Sequence, residues 1–291
     1  MSYLRFFIHL LFVLVLLAGC AGIPFNSQFV TQENGDLELR SKGVCEETTF
    51  AGNQAQGYAA ESGLSADSIS LMGWNIYKGQ EEGWEGDLLR YGKGSDLILL
   101  QEALTESQLL QFFQTHGYSW NFNSAFRYKG AESGVLTASR VSSLQSCGIR
   151  VKEPVIRLPK TIVVTSYGIK GSGKTLVVVN VHGINFTLGT GAYREQFVGL
   201  QKVLQTHDGP LLIVGDFNDW EEQRRLIVAG MVETLSLTVF PFTKEDERTR
   251  FFGNPVDHIL YRGLEPVEIN VYPVTSSDHN PITSSFRLKD V

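Results

Sequence analysis

Carboxylate, amide and imidazole side chains stand at or just beyond the ends of several apolar runs in this 291-residue chain. Three of the runs end in an acid: Glu102 in LILLQEA, Asp216 in LLIVGDFND and Asp278 in SSDHNP. Because acids are rarely buried without a partner or a task, this repetition indicates a shared chemical site. The polar residues in comparable positions are Asn75, His182, Asn185, Asn218, Asp257 and His279.

These residue types favour a hard metal ion. The oxygen donors are the carboxylates of Glu102, Asp216 and Asp278 and the amides of Asn75 and Asn218. Such a set suits Mg²⁺ or Mn²⁺ better than zinc, since cysteine ligands are absent from it. A hard cation beside histidine suits hydrolysis of a phosphate ester, because it can hold the non-bridging oxygens and activate water.

The elements that must position these residues are mainly strands. Apolar runs such as SISLMGWNI, DLILL, KTLVVVNVH and PLLIVGD predict buried strands. Helices are predicted between them in LTESQLLQFFQTHG, GAYREQFVGLQKVLQTH and DWEEQRRLIVAGM, the last capped by Asp219. We therefore predict an α/β fold, a four-layer α/β/β/α sandwich of two packed mixed β-sheets with outer helices, in one domain over residues 65–291.

The stretch GIKGSGKT, residues 168–175, matches the pattern of a phosphate-binding P-loop. A P-loop needs a helix after its Lys-Thr pair, so that backbone N–H groups converge on the phosphates. Here LVVVNV follows, a β-branched run that predicts a strand. We therefore interpret GIKGSGK as the loop of a β-hairpin and predict no nucleoside triphosphate as a ligand.

Composition describes an ordinary globular protein, with 43% hydrophobic and 19% charged residues. The formal net charge of -6 provides no basic footprint for nucleic acid. A nuclease is still compatible with this charge, because bound divalent cations neutralise the phosphate locally.

The N-terminus predicts a bacterial lipoprotein signal peptide over residues 1–19. Its apolar run of about 13 residues is shorter than the roughly 20 that span a membrane. Leu17-Ala18-Gly19-Cys20 resembles a lipobox, in which Cys20 is lipidated; an uncleaved anchor or an ordinary signal with an unrelated cysteine are the alternatives. We predict a lipid-anchored protein of the bacterial cell envelope, at the outer membrane because Ala21 follows the cysteine. Residues 20–64 are interpreted as a tether and an irregular N-terminal arm.

Two further cysteines, Cys45 and Cys147, remain in the predicted mature chain. In an exported protein a pair of cysteines is more often bridged than free. We predict a disulfide between them, and two buried free thiols are the alternative.

The ordered motifs resemble the endonuclease/exonuclease/phosphatase superfamily over roughly residues 68–286, which implies the DNase I-like form of the sandwich. Each motif alone is weak, but the ordered set is specific. WNIYK, NVHGINFTLG and YRGL look most like the bacterial YafD-like branch. The resemblance rests on Asn75, Gln101-Glu102, Ser133-Gly134-Val135, His182, Asn185, Gly215-Asp216-Phe217-Asn218, Asp257, Ser277-Asp278-His279 and Pro281.

The resemblance implies a role for each residue at the metal and the attacking water. Glu102 is implied as a metal ligand, with Asn75 and Asp278 supporting the metal site. Asp216 would orient or deprotonate the water, and Asn218 would hold that water and a phosphate oxygen. The implied mechanism is in-line attack of water on a metal-held phosphate.

The remaining residues are implied to act on the phosphate. A hydrogen bond donated to Asp257 would fix the tautomer of His279 and favour its charged form. His182 and Asn185 would donate to the phosphate. A histidine at the position of His182 is similar to secreted deoxyribonucleases, sphingomyelinases and phosphoinositide phosphatases, whereas the abasic-site repair branch usually has tyrosine.

One departure from the superfamily pattern concerns the helix after His182, where Arg194 and Gln196 stand two residues apart instead of three. Contacts from this helix to the substrate are therefore not implied. The leading hypothesis is a metal-dependent phosphodiesterase, a nuclease in particular. The alternatives are a phospholipid or sphingomyelin-type phosphodiesterase, a phosphomonoesterase, or a non-catalytic envelope-binding lipoprotein that kept the fold. The sequence leaves the oligomeric state open.

Overall fold

Alternating and continuous apolar strands build two larger β-sheets in the part of the chain that the computed structural model describes. The described residues are 21–22, 29–33, 36–40, 43–45, 50, 63–187, 189–242 and 246–289. The predicted signal peptide and Cys20 lie outside them.

The first sheet mixes parallel and antiparallel strands, with β4 (Ile69–Asn75) and β5 (Leu97–Leu104) as its parallel pair. A short 3-10 turn, Tyr77–Gly79, follows β4. In spatial order the sheet contains β16 (Leu264–Val271), β17 (Ile282–Leu288), β4 (Ile69–Asn75), β5 (Leu97–Leu104), β7 (Ala131–Ser139), β6 (Ser119–Tyr128), β2 (Phe29–Glu33) and β3 (Asp36–Arg40), with β1 (Ala21–Gly22) also beside β6.

The second sheet is mixed as well, with β10 (Thr175–His182) and β11 (Leu211–Asp216) parallel to each other. A separate small hairpin pairs β13 (Arg250–Phe251) with β14 (Asn254–Pro255). In spatial order the second sheet contains β12 (Thr238–Val239), β15 (Asp257–Arg262), β11 (Leu211–Asp216), β10 (Thr175–His182), β9 (Pro159–Gly168) and β8 (Gln145–Lys152).

Three layers of apolar packing fix the order of the sheets and helices. The helices are α1 (Trp84–Gly92), α2 (Ser107–Thr115), α3 (Gly191–Leu204) and α4 (Glu222–Thr234). Leu71 and Leu99 of the first sheet pack against Val178 of the second, between the sheets. The outward neighbours in the same strands pack against helices: Met72 against α1 and α2, and Val179 against α3 and α4. The predicted four-layer α/β/β/α sandwich is therefore confirmed.

The hairpin interpretation of GIKGSGK is also confirmed. Strands β9 and β10 pair antiparallel from Gly168 and Thr175 onward. The loop closes with a hydrogen bond from Ile169 N to Lys174 O of 3.0 Å, and Gly171 and Gly173 have positive φ. A strand follows the Lys-Thr pair, so no helix N-terminus forms there.

The described part of the N-terminal arm is more regular than its composition suggested. Strands β2 and β3 form a hairpin, and β2 pairs with β6 over Phe29–Gln32. This region therefore extends the first sheet, which the prediction of an irregular arm missed. Cys45 and Cys147 are joined by a disulfide that spans 102 residues and ties the arm to β8. Among the described residues, every helix is too short or too polar to cross a membrane.

Candidate active site

The chemical residues meet at one edge of the sandwich because parallel strand pairs in both sheets end there. In the first sheet Asn75 ends β4 and lies opposite Gln101 of β5. In the second sheet His182 ends β10 and lies opposite Asp216, which ends β11. Asp216 is in turn opposite Asp257 at the start of β15. Backbone register thus brings together side chains that are far apart in sequence.

Asp216 is a buried carboxylate that accepts hydrogen bonds from neutral donors. Its Oδ1 accepts from Asn218 N at 3.0 Å, and its Oδ2 accepts from Asn218 Nδ2 at 3.0 Å and Asn75 Nδ2 at 3.2 Å. Burial, the largest cause, and the nearby Asp257 carboxylate outweigh the charge of His279 and raise the pKa of Asp216 to about 6.

Gly215 permits this arrangement because its backbone lies against β10. A Cβ at Gly215 would stand 2.1 Å from Val181 O, and its φ is +144°. Asn218 also has positive φ, and its Nδ2 donates to Gly183 O at 3.2 Å. The GDFN motif is therefore a tight turn that holds Asp216 and Asn218 beside the end of β10.

His279 and Asp257 form a hydrogen-bonded pair. His279 Nδ1 lies 3.1 Å from Asp257 Oδ1 and 2.9 Å from Oδ2, and its Nε2 is 3.8 Å from Asp216 Oδ2. Burial would lower the pKa of His279, but the carboxylates of Asp257 and Asp216 raise it to about 10. The ring therefore carries a positive charge at neutral pH. Trp74 fixes its backbone by donating from Nε1 to His279 O at 2.8 Å.

Glu102 lies in β5 where the pairing with β7 shifts register, between Leu100 and Ala103, and its φ is +52°. Its carboxylate is in direct contact with Lys78 Nζ, and its Oε1 is 3.6 Å from Lys160 Nζ. Burial would raise the pKa of Glu102, but the two ammonium groups hold it well below its usual range. Glu102 is therefore a carboxylate across the physiological pH range.

His182 lies between the two carboxylates. Its Nε2 is 3.7 Å from Glu102 Oε1 and 3.6 Å from Asp216 Oδ2, and it accepts a hydrogen bond from Lys160 Nζ at 2.7 Å. Burial and then the Lys160 charge hold the pKa of His182 well below its usual range, so the ring is neutral. Gln196 donates from Nε2 to His182 O at 3.0 Å, which gives this helix residue a positioning role.

Asn185 lies beside this cluster and outside its hydrogen-bond network. Its Oδ1 accepts from Trp220 Nε1 at 3.0 Å, and its backbone N donates to Glu153 Oε1 at 2.7 Å. Buried Arg224 joins the two loops by donating to Asn218 O at 3.0 Å and to Asn185 O at 2.7 Å. The structure thus places Asn185 at the edge of the site, next to Trp220.

Asp278 is exposed beside His279, and its carboxylate accepts a hydrogen bond from Ser277 Oγ at 3.5 Å. No group of three or more His, Cys, Asp or Glu side chains in the described residues is arranged to hold a metal ion. The donor types at Asn75, Glu102 and Asp278 nevertheless fit a hard cation such as Mg²⁺ or Mn²⁺.

Asp219 does not cap α4, which contradicts the sequence prediction. The residue before α4 is Glu221, and it makes no side-chain capping bond. Asp219 instead accepts from His258 Nε2 at 2.8 Å, and Arg248 Nη1 donates to Asp257 O at 2.9 Å. These contacts stabilise the GDFND turn and β15, which position Asp216 and Asp257.

Several residues of the site were not singled out in the sequence: Lys78, Lys160, Glu153 and Arg224. A lysine, arginine or glutamate normally faces solvent, so residue type carries no sign of its burial. The one available signal was local: Lys78 lies three residues after Asn75 in the WNIYK motif. Glu153, Lys160 and Arg224 reach the site only through the β8–β9 hairpin and the packing of α4.

Comparisons with known proteins show which family and which folds this chain resembles. The chain is 37% identical over 223 residues to a UPF0294 protein of Vibrio campbellii, covering 76% of this chain and 78% of the relative. The human Nocturnin catalytic domain with bound sulfate anion shares the fold, with a TM-score of 0.58, 18% identity and coverage of 76% and 95%.

The structure of ANGEL2, a 2′,3′-cyclic phosphatase, in complex with adenosine-2′,3′-vanadate is similar to the same extent. Its TM-score is 0.57 at 15% identity, covering 76% of this chain and 96% of that one. Residues 72–279 match the model of the Endonuclease/Exonuclease/phosphatase family. This range contains all nine residues predicted for the chemistry, from Asn75 to His279. The chain therefore belongs to the Endonuclease/Exonuclease/phosphatase family.

Proposed function

We propose that the chain is a metal-dependent phosphodiesterase that hydrolyses nucleic acid by in-line attack of water on the phosphate. Members of its superfamily hydrolyse phosphoester bonds and generally use divalent ions. The observation that supports this most directly is the Asp216–His279–Asp257 arrangement, in which a carboxylate with a pKa of about 6 lies 3.8 Å from a charged imidazole. A proton acceptor and a cation side by side suit attack of water on an anion.

In this proposal Asp216 accepts the proton of the attacking water, because its pKa lies close to neutral pH. Asn218, which bonds Asp216 from both backbone and side chain, orients that water and a phosphate oxygen. Asp257 keeps His279 protonated, and the imidazolium stabilises charge that develops on the phosphate.

Lys160 adds a donor beside His182. The neutral His182 ring accepts a hydrogen bond at Nε2, so this atom cannot donate to a phosphate oxygen. The donor beside it is the Lys160 ammonium. We propose that Lys160 and His182 together contact phosphate oxygens and that Asn185 does so from the edge of the site. Glu102, Asn75 and Asp278 would hold Mg²⁺ or Mn²⁺, which when bound would supply Lewis-acid stabilisation of the phosphate charge.

The experiment measures bis-p-nitrophenyl phosphate hydrolysis by the wild type and by His279→Ala, each with Mg²⁺ or Mn²⁺ and with chelator. We expect a loss of about 10³-fold in His279→Ala, the size of a general acid–base or charge-stabilising contribution. His116→Ala is the matched control, since His116 lies at the end of α2 and its ring bonds Phe112 O of that helix. Equal rates in wild type and His279→Ala would refute the assignment of His279.

The substrate class is tested with supercoiled plasmid against a phospholipid panel under the same conditions. We expect nicking or cleavage of the plasmid. An intact plasmid with cleaved phospholipid would replace the nuclease proposal with the phospholipid alternative. The adenosine-derived ligand of ANGEL2 supports a nucleotide-like substrate here; the YafD-like branch stays a prediction.

We also propose that Cys20 is lipidated and anchors the catalytic domain to the bacterial cell envelope, at the outer membrane. The lipobox-like ending of the N-terminal apolar segment supports this. Labelling with a palmitate analogue tests it, and we expect label in the wild type and none in Cys20→Ser. Incorporation of label into both proteins would contradict the proposal.

A further inference from the structure

An exposed aromatic hairpin stands next to the candidate active site. Strands β13 and β14 are joined by a two-residue turn, Phe252-Gly253. Phe252 is 78% exposed and Phe251 47% exposed. The ring of Trp220, just after the GDFND turn, lies 5.3 Å from the ring of Phe252, and the two phenylalanine rings are 5.0 Å apart.

Phe252 is an unfavourable residue for this turn on two grounds. Both central residues have positive φ, +48° at Phe252 and +82° at Gly253, which is the conformation that normally selects Asn-Gly or Asp-Gly. A bulky residue with positive φ is strained, and a phenyl ring that is 78% exposed gains little from burial. A phenylalanine here is explained by a contact outside the folded chain.

Hydrogen bonds tie the hairpin to the backbone on both sides of His279 and to the backbone of Trp220. Thr249 Oγ1 donates to Asp278 O at 3.4 Å and accepts from Asn280 N at 3.1 Å. On the other side Asn254 Nδ2 donates to Trp220 O at 3.0 Å. A ligand held at His279 would therefore meet the aromatic rings at a fixed position beside the site.

The charges around the rings suit an anionic ligand. Arg225 and Arg250 are exposed on either side, donating to Trp220 O at 3.0 Å and Gly253 O at 3.2 Å, and Arg250 also pairs with Asp246. Guanidinium groups beside flat aromatic rings are the combination that binds single-stranded nucleic acid, with phosphates on the cations and bases on the rings.

We propose that Phe252 and Phe251 form a stacking platform for a nucleobase of single-stranded nucleic acid whose phosphate lies in the active site. This inference rests on the proposed nuclease function and specifies its substrate class. The rings contribute affinity through the base, while Arg225 and Arg250 contact the flanking backbone.

The test measures fluorescence anisotropy of a labelled oligothymidine and of an abasic oligomer of equal length, with the full-length chain in a His279→Ala background that prevents cleavage. Phe252→Asn is the informative variant, because asparagine suits the turn and preserves the hairpin. We expect Phe252→Asn to weaken oligothymidine binding about 10-fold and to leave abasic binding unchanged, and Phe252→Trp to restore the affinity. Val267→Ala is the control, as Val267 is 57% exposed on β16 and distant in sequence from the hairpin.

The binding assay separates this inference from the nuclease proposal, because it does not depend on cleavage. Base-dependent binding without plasmid cleavage by the wild type would support the stacking platform and contradict the nuclease function. Unchanged oligothymidine binding in Phe252→Asn, or an equal loss with the abasic oligomer, would overturn the platform. Sedimentation with phosphatidylglycerol vesicles that is lost only in Phe252→Asn, with oligothymidine binding unaffected, would overturn it as well and assign the hairpin to a lipid surface.

Discussion

Glu102 and Asp216 are both buried carboxylates at the same edge of the sandwich, one in each sheet, yet their environments act on them in opposite directions. Glu102 contacts Lys78 and has Lys160 at 3.6 Å, which holds its pKa well below the usual range. Asp216 accepts hydrogen bonds from amides and lies near Asp257, and its pKa is raised to about 6.

The difference shows that the neighbours, more than burial itself, decide what each acid can do. Burial raises the pKa of both groups. Only Glu102 has ammonium groups close enough to overcome it, so Glu102 stays charged and is suited to hold a cation. Asp216 titrates near neutral pH and is suited to accept a proton.

The largest expected effect concerns catalysis by Asp216. We predict that Asp216→Asn lowers kcat/KM for bis-p-nitrophenyl phosphate by about 10³-fold, since an amide cannot accept the proton from water. Asp208→Asn is the matched control, because Asp208 lies at the opposite end of β11. Steady-state kinetics measures both; a loss below 10-fold in Asp216→Asn would remove Asp216 from the role of base.

The second prediction concerns stability at Glu102. We expect Glu102→Gln to lower the free energy of unfolding at pH 7 by about 3 kcal/mol, because it leaves Lys78 and Lys160 largely buried without their counter-ion. The pKa of Glu102 is depressed in the folded state, so its contribution is full above the unfolded value of about 4.3 and is lost as pH falls below it. Urea unfolding between about pH 3 and 8 should therefore show a deficit that is constant above about pH 5 and shrinks as the pH falls below about 4.3.

A double-mutant cycle with Lys78→Met checks the cause of that deficit. If the unpaired ammonium is responsible, Lys78→Met/Glu102→Gln costs less than the sum of the single variants. Strict additivity would show that Lys78 and Glu102 are not coupled.

The third prediction is the pH profile of kcat/KM. Asp216 must lose its proton, at about pH 6, and His279 must keep its own, up to about pH 10, so activity should rise through the first value and fall through the second. Asp257→Asn removes the carboxylate that most raises the pKa of His279, and the upper limb should move down by about one unit. If the upper pKa of the profile is the same in Asp257→Asn and in the wild type, that pKa does not belong to His279.

The smallest effect is expected at Lys160. Lys160→Met should destabilise the protein by about 1 kcal/mol, less than Lys78→Met, because Lys160 lies 3.6 Å from Glu102 whereas Lys78 is in direct contact. Thermal unfolding of the two variants at pH 7 measures the difference. A larger loss in Lys160→Met would mean that the bond from Lys160 to His182 matters more for stability than the pair with Glu102.

The sequence by itself determined the fold class and predicted which residues share one site. Apolar runs of strand length fixed the two sheets, and acids or amides at their ends predicted one shared edge, since parallel strands place their carboxyl ends together. The strand after GIKGSGKT was also enough to exclude a P-loop. Residue type predicts where strands lie because the backbone of a strand sets which side chains face the core.

Only the tertiary structure decided the charge states of the acids and histidines in the site and which residues from distant loops surround them. Lys78 and Lys160 reach Glu102 from a turn and from a separate hairpin, and both contacts form only when the chain folds. Folding also decided the contacts of Asp219, which was predicted to cap α4 but accepts a hydrogen bond from His258 of β15. It likewise decided the burial of Arg224 between two loops. Coulomb interactions depend on distance through space, so groups far apart in sequence set each pKa after the chain has folded.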